Sequence, residues 1–117
     1  HLAPGLEIAR LVTGLWQVAD MERDGRAVDL AAAAAAMRPY VAGGATTFDM
    51  ADHYGSAEDI TGHYVARHGT GDAQFLTKWV PTPGPVTRDD VRAAVTRALG
   101  RMGLERLPLL QFHAWRY

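Results

Sequence analysis

Along the chain, short apolar runs alternate with longer stretches whose apolar residues recur every three or four positions. Short runs are the signature of buried strands, and the longer period is that of amphipathic helices. Leu11-Val12-Thr13, leading into Gly14-Leu15-Trp16-Gln17, reads as a first strand, with a short hairpin before it around Pro4-Gly5. Asp29 is placed to cap a helix whose apolar positions are Leu30, Ala34, Met37 and Val41, and Gly43-Gly44 stops it. Pro39 lies inside that helix, where it removes a hydrogen bond and should kink or shorten the last turn. Ala45-Thr46-Thr47-Phe48 is the second strand. Ser56, with Asp59 three residues later, opens a helix through Ile60, Tyr64 and Val65 that ends at His68-Gly69. Gln74-Phe75-Leu76-Thr77 follows as a third strand, and the proline-rich segment from Pro81 to Pro85 is a loop. Thr87 caps a third helix with Val91, Val95, Leu99 and Met102 on one face, ending near Gly103. Leu109-Leu110-Gln111-Phe112 is a fourth strand.

This β-α-β-α-β-α-β order argues for an α/β protein with a parallel sheet and helices packed upon it. Two architectures satisfy it: an open doubly wound sheet, or part of a (β/α)8 barrel. With 117 residues and no linker or low-complexity stretch, the chain is expected to lie within one domain. Twelve basic and thirteen acidic side chains leave a formal net charge of −1, which offers no basic surface for nucleic acid or an anionic membrane. Cysteine is absent, which removes disulfides, thiolate metal sites and a catalytic thiol from consideration. No apolar run approaches the ~20 residues of a membrane helix, and the N-terminus lacks a signal-peptide layout. A soluble, cytoplasmic protein is the resulting expectation.

The chemistry is concentrated where the strands end. Asp49 follows Phe48, Lys78 follows Thr77, and His113 follows Phe112. Each is separated from the next by about one βα unit, ~30 residues. Taken singly, an aspartate before a helix is usually a cap, a strand-end lysine an edge charge, and a lone histidine a structural donor. Taken together they fall at one phase of successive units. In a barrel that phase places them around the mouth at the C-terminal ends of the strands, where active sites are built. Tyr54, in the loop after Asp49, can fold back over the same mouth. A metal-dependent hydrolase using Asp49, Asp52, His53 and His113 is the rival chemistry. His63 and His68 are off the i, i+4 ligand spacing and His53 has no nearby histidine partner, so no metal site is expected. Neither GxGxxG nor the P-loop pattern occurs.

At these residues the sequence resembles the aldo/keto reductase superfamily. Gly44-Ala45-Thr46-Thr47-Phe48-Asp49-Met50-Ala51-Asp52-His53-Tyr54-Gly55, continued by Glu58 and Gly62, is similar to that family's second-strand signature. Phe75-Leu76-Thr77-Lys78 resembles its lysine motif, and Leu109-Leu110-Gln111-Phe112-His113 its histidine motif. Leu15, Met50 and Ala114 depart from the residues common in the family, beside the expected tetrad rather than in it. The resemblance implies the barrel over the open sheet, and reduction of an aldehyde or ketone to an alcohol, with the reverse oxidation, at the expense of NAD(P)H. It favours NADP(H) over NAD(H). It implies Tyr54 as general acid, Lys78 as the cation that activates it, Asp49 as the group holding Lys78, and His113 as the residue orienting the carbonyl. Gly14, Leu15, Trp16 and Asp49 are expected at the cofactor, and Trp16, Trp79 and Trp115 as an aromatic wall for a small-molecule substrate. The alternative is a non-catalytic nucleotide-binding or regulatory member of the same fold, or a catalytically incomplete fragment. A full barrel takes ~250 residues, so residues 1–117 are expected to be the N-terminal portion of one barrel domain. Such a portion has open sheet edges that invite self-association.

Overall fold

The computed structural model describes residues 2–19 and 26–114. Its elements follow the expected order: β1 (Val12–Gly14), α1 (Leu30–Ala36), α2 (Arg38–Ala42), β2 (Thr47–Asp49), α3 (Ala57–His68), β3 (Gln74–Trp79), α4 (Arg88–Met102) and β4 (Leu109–Phe112). The strands form one parallel sheet in the order β1-β2-β3-β4. Neighbours in sequence are neighbours in space, and α3 packs against both α1 and α4. Helices that touch one another in succession lie on one face of the sheet. A doubly wound sheet would divide them between two faces, so the arrangement is an arc of a barrel wall.

Register sorts the strand residues into two faces, because successive side chains of a strand point to opposite sides. Val12, Thr47 and Gln74 are aligned in one row, and Gly14, Asp49, Leu76 and Leu109 in the next. Lys78 and Gln111 begin a third. These three rows form the inner face. The alternating residues, among them Thr13, Phe48, Phe75, Thr77 and Trp79, face the helices. Phe48 and Phe75 stack with ring centroids 5.8 Å apart. Around them Met37, Ile60, Tyr64 and Met102 complete a hydrophobic cluster between sheet and helices. Each such side chain contributes about 1.5–3 kcal/mol by leaving water.

The helix expected from Asp29 to Gly43 is interrupted. Asp29 accepts from the Ala32 N–H as its N-cap, but α1 ends at Ala36, and Pro39 occupies the first turn of α2. A proline has no N–H for the helical ladder and is tolerated only at such a start. The hairpin expected around Pro4-Gly5 is a single antiparallel bridge between Ala3 and Leu6. Ser56 stands at the N-cap of α3 without a side-chain capping bond. Thr87 does cap α4, through a capping box with Asp90, and Gly103, in the left-handed region at φ 64°, closes it.

The face of α4 that packs is the expected one in part: Met102 is buried and Val95 and Leu99 are partly buried, but the centre of the face is turned from Val91 toward Ala94 and Ala98. Ala94, Ala98 and Met102 are buried, whereas Val91 is 40% exposed. Small residues prevail because α3 and α4 cross closely. A Cβ on Gly62 would lie 2.2 Å from the Arg101 carbonyl oxygen, so only glycine fits there.

Candidate active site

Asp49 is the last residue of β2 and Lys78 the penultimate residue of β3, so both belong to the strands rather than to the loops that follow. Both project from the inner face. The Lys78 Nζ donates to Asp49 Oδ2 at 2.5 Å and to the Met50 carbonyl at 2.9 Å. Gln111, the register partner of Lys78, donates from Nε2 to Asp49 Oδ1 at 3.3 Å. The Lys78 and Asp49 side chains are 15% and 26% exposed. The ammonium is therefore half-withdrawn from water but has two oxygen partners, which offset the cost of desolvating it.

Tyr54 reaches this pair from the loop between β2 and α3. Its ring centroid lies 5.1 Å from Lys78 Nζ, within the range at which a cation feels an aromatic ring. Trp16 packs edge-on against it at 4.8 Å, bringing the end of β1 to the same place. His53 lies 4.8 Å from the Tyr54 ring and 5.7 Å from the His113 ring. His113 itself is held by one more step of the β3–β4 ladder, its N–H donating to the Trp79 carbonyl at 2.9 Å. Asp49, Tyr54, Lys78, His113 and Trp16 thus converge at the C-terminal end of the sheet.

Other residues expected at the site are placed elsewhere. The Leu15 side chain turns into the hydrophobic core, 2% exposed, while its N–H donates to the Asp49 carbonyl. Trp79 alternates with Lys78 and so faces the helix side, where its ring meets Phe112 edge-on at 5.6 Å. Trp115 lies outside the described residues. Gly14 stands beside Asp49 in register, and among the described residues no atom beyond its chain neighbours lies within 4 Å of where its Cβ would be. That leaves open space over the inner face, next to the Lys78–Asp49 pair.

A concavity of about 710 Å³ lies at the opposite end of the sheet, lined by Gln74, Leu104 and Pro108 among others, with none of the converging side chains in its wall.

The sequence reading also missed a buried tie behind the site. Glu58 on α3 is 2% exposed. It accepts from the Thr77 hydroxyl at 2.8 Å and from Arg101 Nη1 at 3.2 Å. The same Arg101 nitrogen donates to the Asp52 carbonyl at 3.3 Å. Thr77 precedes Lys78, and Asp52 precedes His53 and Tyr54. One carboxylate therefore links the strand carrying the lysine to the loop carrying the tyrosine. Glu58 was visible as part of the motif, but its partner on α4 is 43 residues away and carries no sequence signal.

The fold has counterparts among known proteins. The chain is similar to two solved structures of aldo-keto reductases from Pseudomonas aeruginosa, each at 22% identity over 93% of its length, with TM-scores of 0.72 and 0.73. It is similar also to the thermostable aldo-keto reductase Tm1743, solved with the inhibitor epalrestat, at 20% identity over 92% of its length and a TM-score of 0.73. It spans less than half of those chains, 42–44%. No curated protein matches the sequence closely enough to count as a relative. At these identities the structural likeness speaks for the fold, four strands of a (β/α)8 barrel wall. The sequence model of the aldo/keto reductase family, however, matches residues 10–117, nearly the whole chain, and with that match the chain belongs to the aldo/keto reductase family.

Proposed function

We propose that the full-length protein carrying this chain reduces an aldehyde or ketone to an alcohol with a nicotinamide cofactor, and catalyses the reverse oxidation. The observation that carries the reading is the Lys78 ammonium. It is pinned between Asp49 Oδ2 and the Met50 carbonyl, with the Tyr54 ring 5.1 Å away. Carbonyl reduction requires a proton on oxygen as hydride reaches carbon. A phenol yields its proton poorly at neutral pH, and a fixed cation beside it stabilises the negative charge that develops as the proton leaves. Tyr54 is then the general acid and Lys78 its activator. Asp49 holds Lys78 in place, and His113 orients the carbonyl oxygen.

The residues present suit a nicotinamide. The space left over Gly14 is open and adjoins Asp49, and Trp16 offers an apolar wall against Tyr54. When bound there, the cofactor supplies the hydride, which protein side chains cannot. Gly14, Trp16 and Asp49 are the residues on this chain that would border it. NADP(H) is the proposed form. The substrate is a small carbonyl compound, for which Trp16 forms part of the wall.

The test is Tyr54→Phe in the full-length protein. Aldehyde-dependent oxidation of NADPH falls to background, while cofactor binding, followed by fluorescence quenching, stays within about twofold of wild type. Retained turnover would overturn the assignment of Tyr54. A comparison of kcat/KM with NADPH and NADH settles the cofactor form.

A further inference from the structure

We propose that His53, held by Asp52, is the group that resupplies Tyr54 with its proton from solvent. The inference rests on the carbonyl-reduction reading and adds to it a residue outside the expected tetrad. Each reduction removes the phenolic proton of Tyr54, so each turnover must return one from bulk water. Trp16 covers Tyr54 on one side and the Lys78–Asp49 pair lies on another. His53 adjoins the tyrosine and, like it, is only partly buried. Its ring meets Tyr54 edge-on at 4.8 Å and His113 at 5.7 Å, and its side chain is 32% exposed. These contacts set the imidazole beside the tyrosine ring, and the proposed passage between them runs through water.

The loop gives His53 a firm base. Its Nδ1 lies 3.1 Å from Asp52 Oδ1. A carboxylate only accepts, so Nδ1 carries its proton there, and Nε2 is the nitrogen that gains and loses one. Asp52 is itself fixed to β3. Its N–H donates to the Lys78 carbonyl at 2.9 Å, and its Oδ1 accepts from the Val80 N–H at 3.4 Å. Arg101 of α4 donates to the Asp52 carbonyl. Among the described residues, the charged and titratable groups around His53 include Asp52 on its own loop, Tyr54 beside it, and His113 from the end of β4. Beyond Tyr54 lies the Lys78–Asp49 pair, and Arg101 stands behind Asp52. Among them Asp52 is the carboxylate in direct contact.

The step balances simply. Tyr54 gives its O–H proton to the carbonyl oxygen of the substrate and becomes phenolate. His53 takes a proton from bulk water at Nε2, leaving hydroxide to the solvent, becomes imidazolium against Asp52, passes that proton to the phenolate oxygen and returns to neutral. No electrons move in this part of the cycle.

The decisive experiment uses His53→Phe in the full-length protein, which keeps an aromatic ring against Tyr54 but cannot carry a proton. With an aldehyde and NADPH at saturation, kcat falls roughly tenfold, a fraction of what general acid–base groups contribute, while KM changes little. Added imidazole restores kcat in proportion to its concentration, whereas wild type is indifferent to it. A purely structural role for His53 would give a loss that imidazole does not recover. That result, or an unchanged kcat, would overturn the relay while leaving the reduction reading intact. A wild-type protein with no NADPH-dependent turnover would overturn both. Should His53→Phe fail to fold, His53→Gln, which keeps a polar partner for Asp52, gives the same readout.

Discussion

Gly62→Ala pits two effects of known size against each other. In an exposed helix interior, alanine is better than glycine by about 1 kcal/mol, so the change would stabilise α3 if nothing stood beside it. The Arg101 carbonyl oxygen does stand there, 2.2 Å from the new Cβ. Reaching an ordinary contact of ~3.4 Å requires α3 and α4 to part locally by about 1.2 Å. Overpacking of this kind costs about 1–3 kcal/mol. The same displacement moves the Arg101 backbone away from α3, stretching the bonds from its guanidinium to Glu58 and Asp52, now 3.2 and 3.3 Å. Weakening a hydrogen bond to a buried carboxylate adds about 1.5 kcal/mol, taken at the low end because Arg101 is partly exposed. The net expectation is a loss of about 2–3 kcal/mol. In urea unfolding of the full-length protein, with a slope of ~2 kcal/mol/M, the midpoint falls by roughly 1 M. A midpoint that is unchanged or raised would refute the close crossing, because helix propensity would then have prevailed. A cycle with Arg101→Met separates the two costs. If the alanine acts partly through Arg101, the two substitutions are less than additive.

Other consequences can be measured directly. Lys78→Met removes the cation beside Tyr54 and leaves Asp49 with Gln111 as its remaining side-chain partner; kcat for aldehyde reduction is expected to fall about 10²-fold or more, with secondary structure by circular dichroism unchanged. The Thr87 hydroxyl and amide hold the Asp90 carboxyl below its ordinary value of 3.8. A carboxyl lowered in the native state stabilises fully above that ordinary value, and the contribution disappears as pH falls through the lowered native one. NMR titration of the Asp90 side chain should show the low midpoint in wild type and a rise toward 3.8 in Thr87→Val. Leu11 on the β1 side and Phe112 on β4 are 73% and 59% exposed, so the 117-residue chain in isolation should sediment as an oligomer or aggregate. A monomeric species with a cooperative melt would contradict that expectation.

The features legible in the sequence were those set by local chemistry. The alternation of short apolar runs with helical periods placed every strand and helix within a few residues. Pro39 marked the break between α1 and α2, and Thr87 marked the start of α4. The convergence of Asp49, Lys78 and His113 followed from strand phase alone, because equivalent positions of successive parallel strands share one end of the sheet. What could not be read was set by distance in sequence. The packed face of α4 was read correctly at Met102 but not at Ala94 and Ala98, because valines outrank alanines in apolar character, whereas the crossing at Gly62 demands small residues. Leu15 is buried although it adjoins the site, and Trp79 faces away from Lys78; both follow from side-chain alternation once strand limits are known. The link from Glu58 to Arg101 needs two helices already packed.

The final rung of the ladder between β3 and β4, the Trp79 carbonyl accepting from His113, gives the site a mechanical property. Strands in register cannot slide by small amounts. A slip of one residue would turn His113 to the opposite face, and the next slip that restores its facing carries it about 7 Å along the strand. The imidazole therefore has no graded error available to it: it stands at the mouth beside His53, or it is lost from the mouth altogether. Alignment in this half of the site behaves like a tooth in a ratchet, and damage to the β4 edge should appear as a mixture of competent and inert molecules rather than as a uniformly slower population.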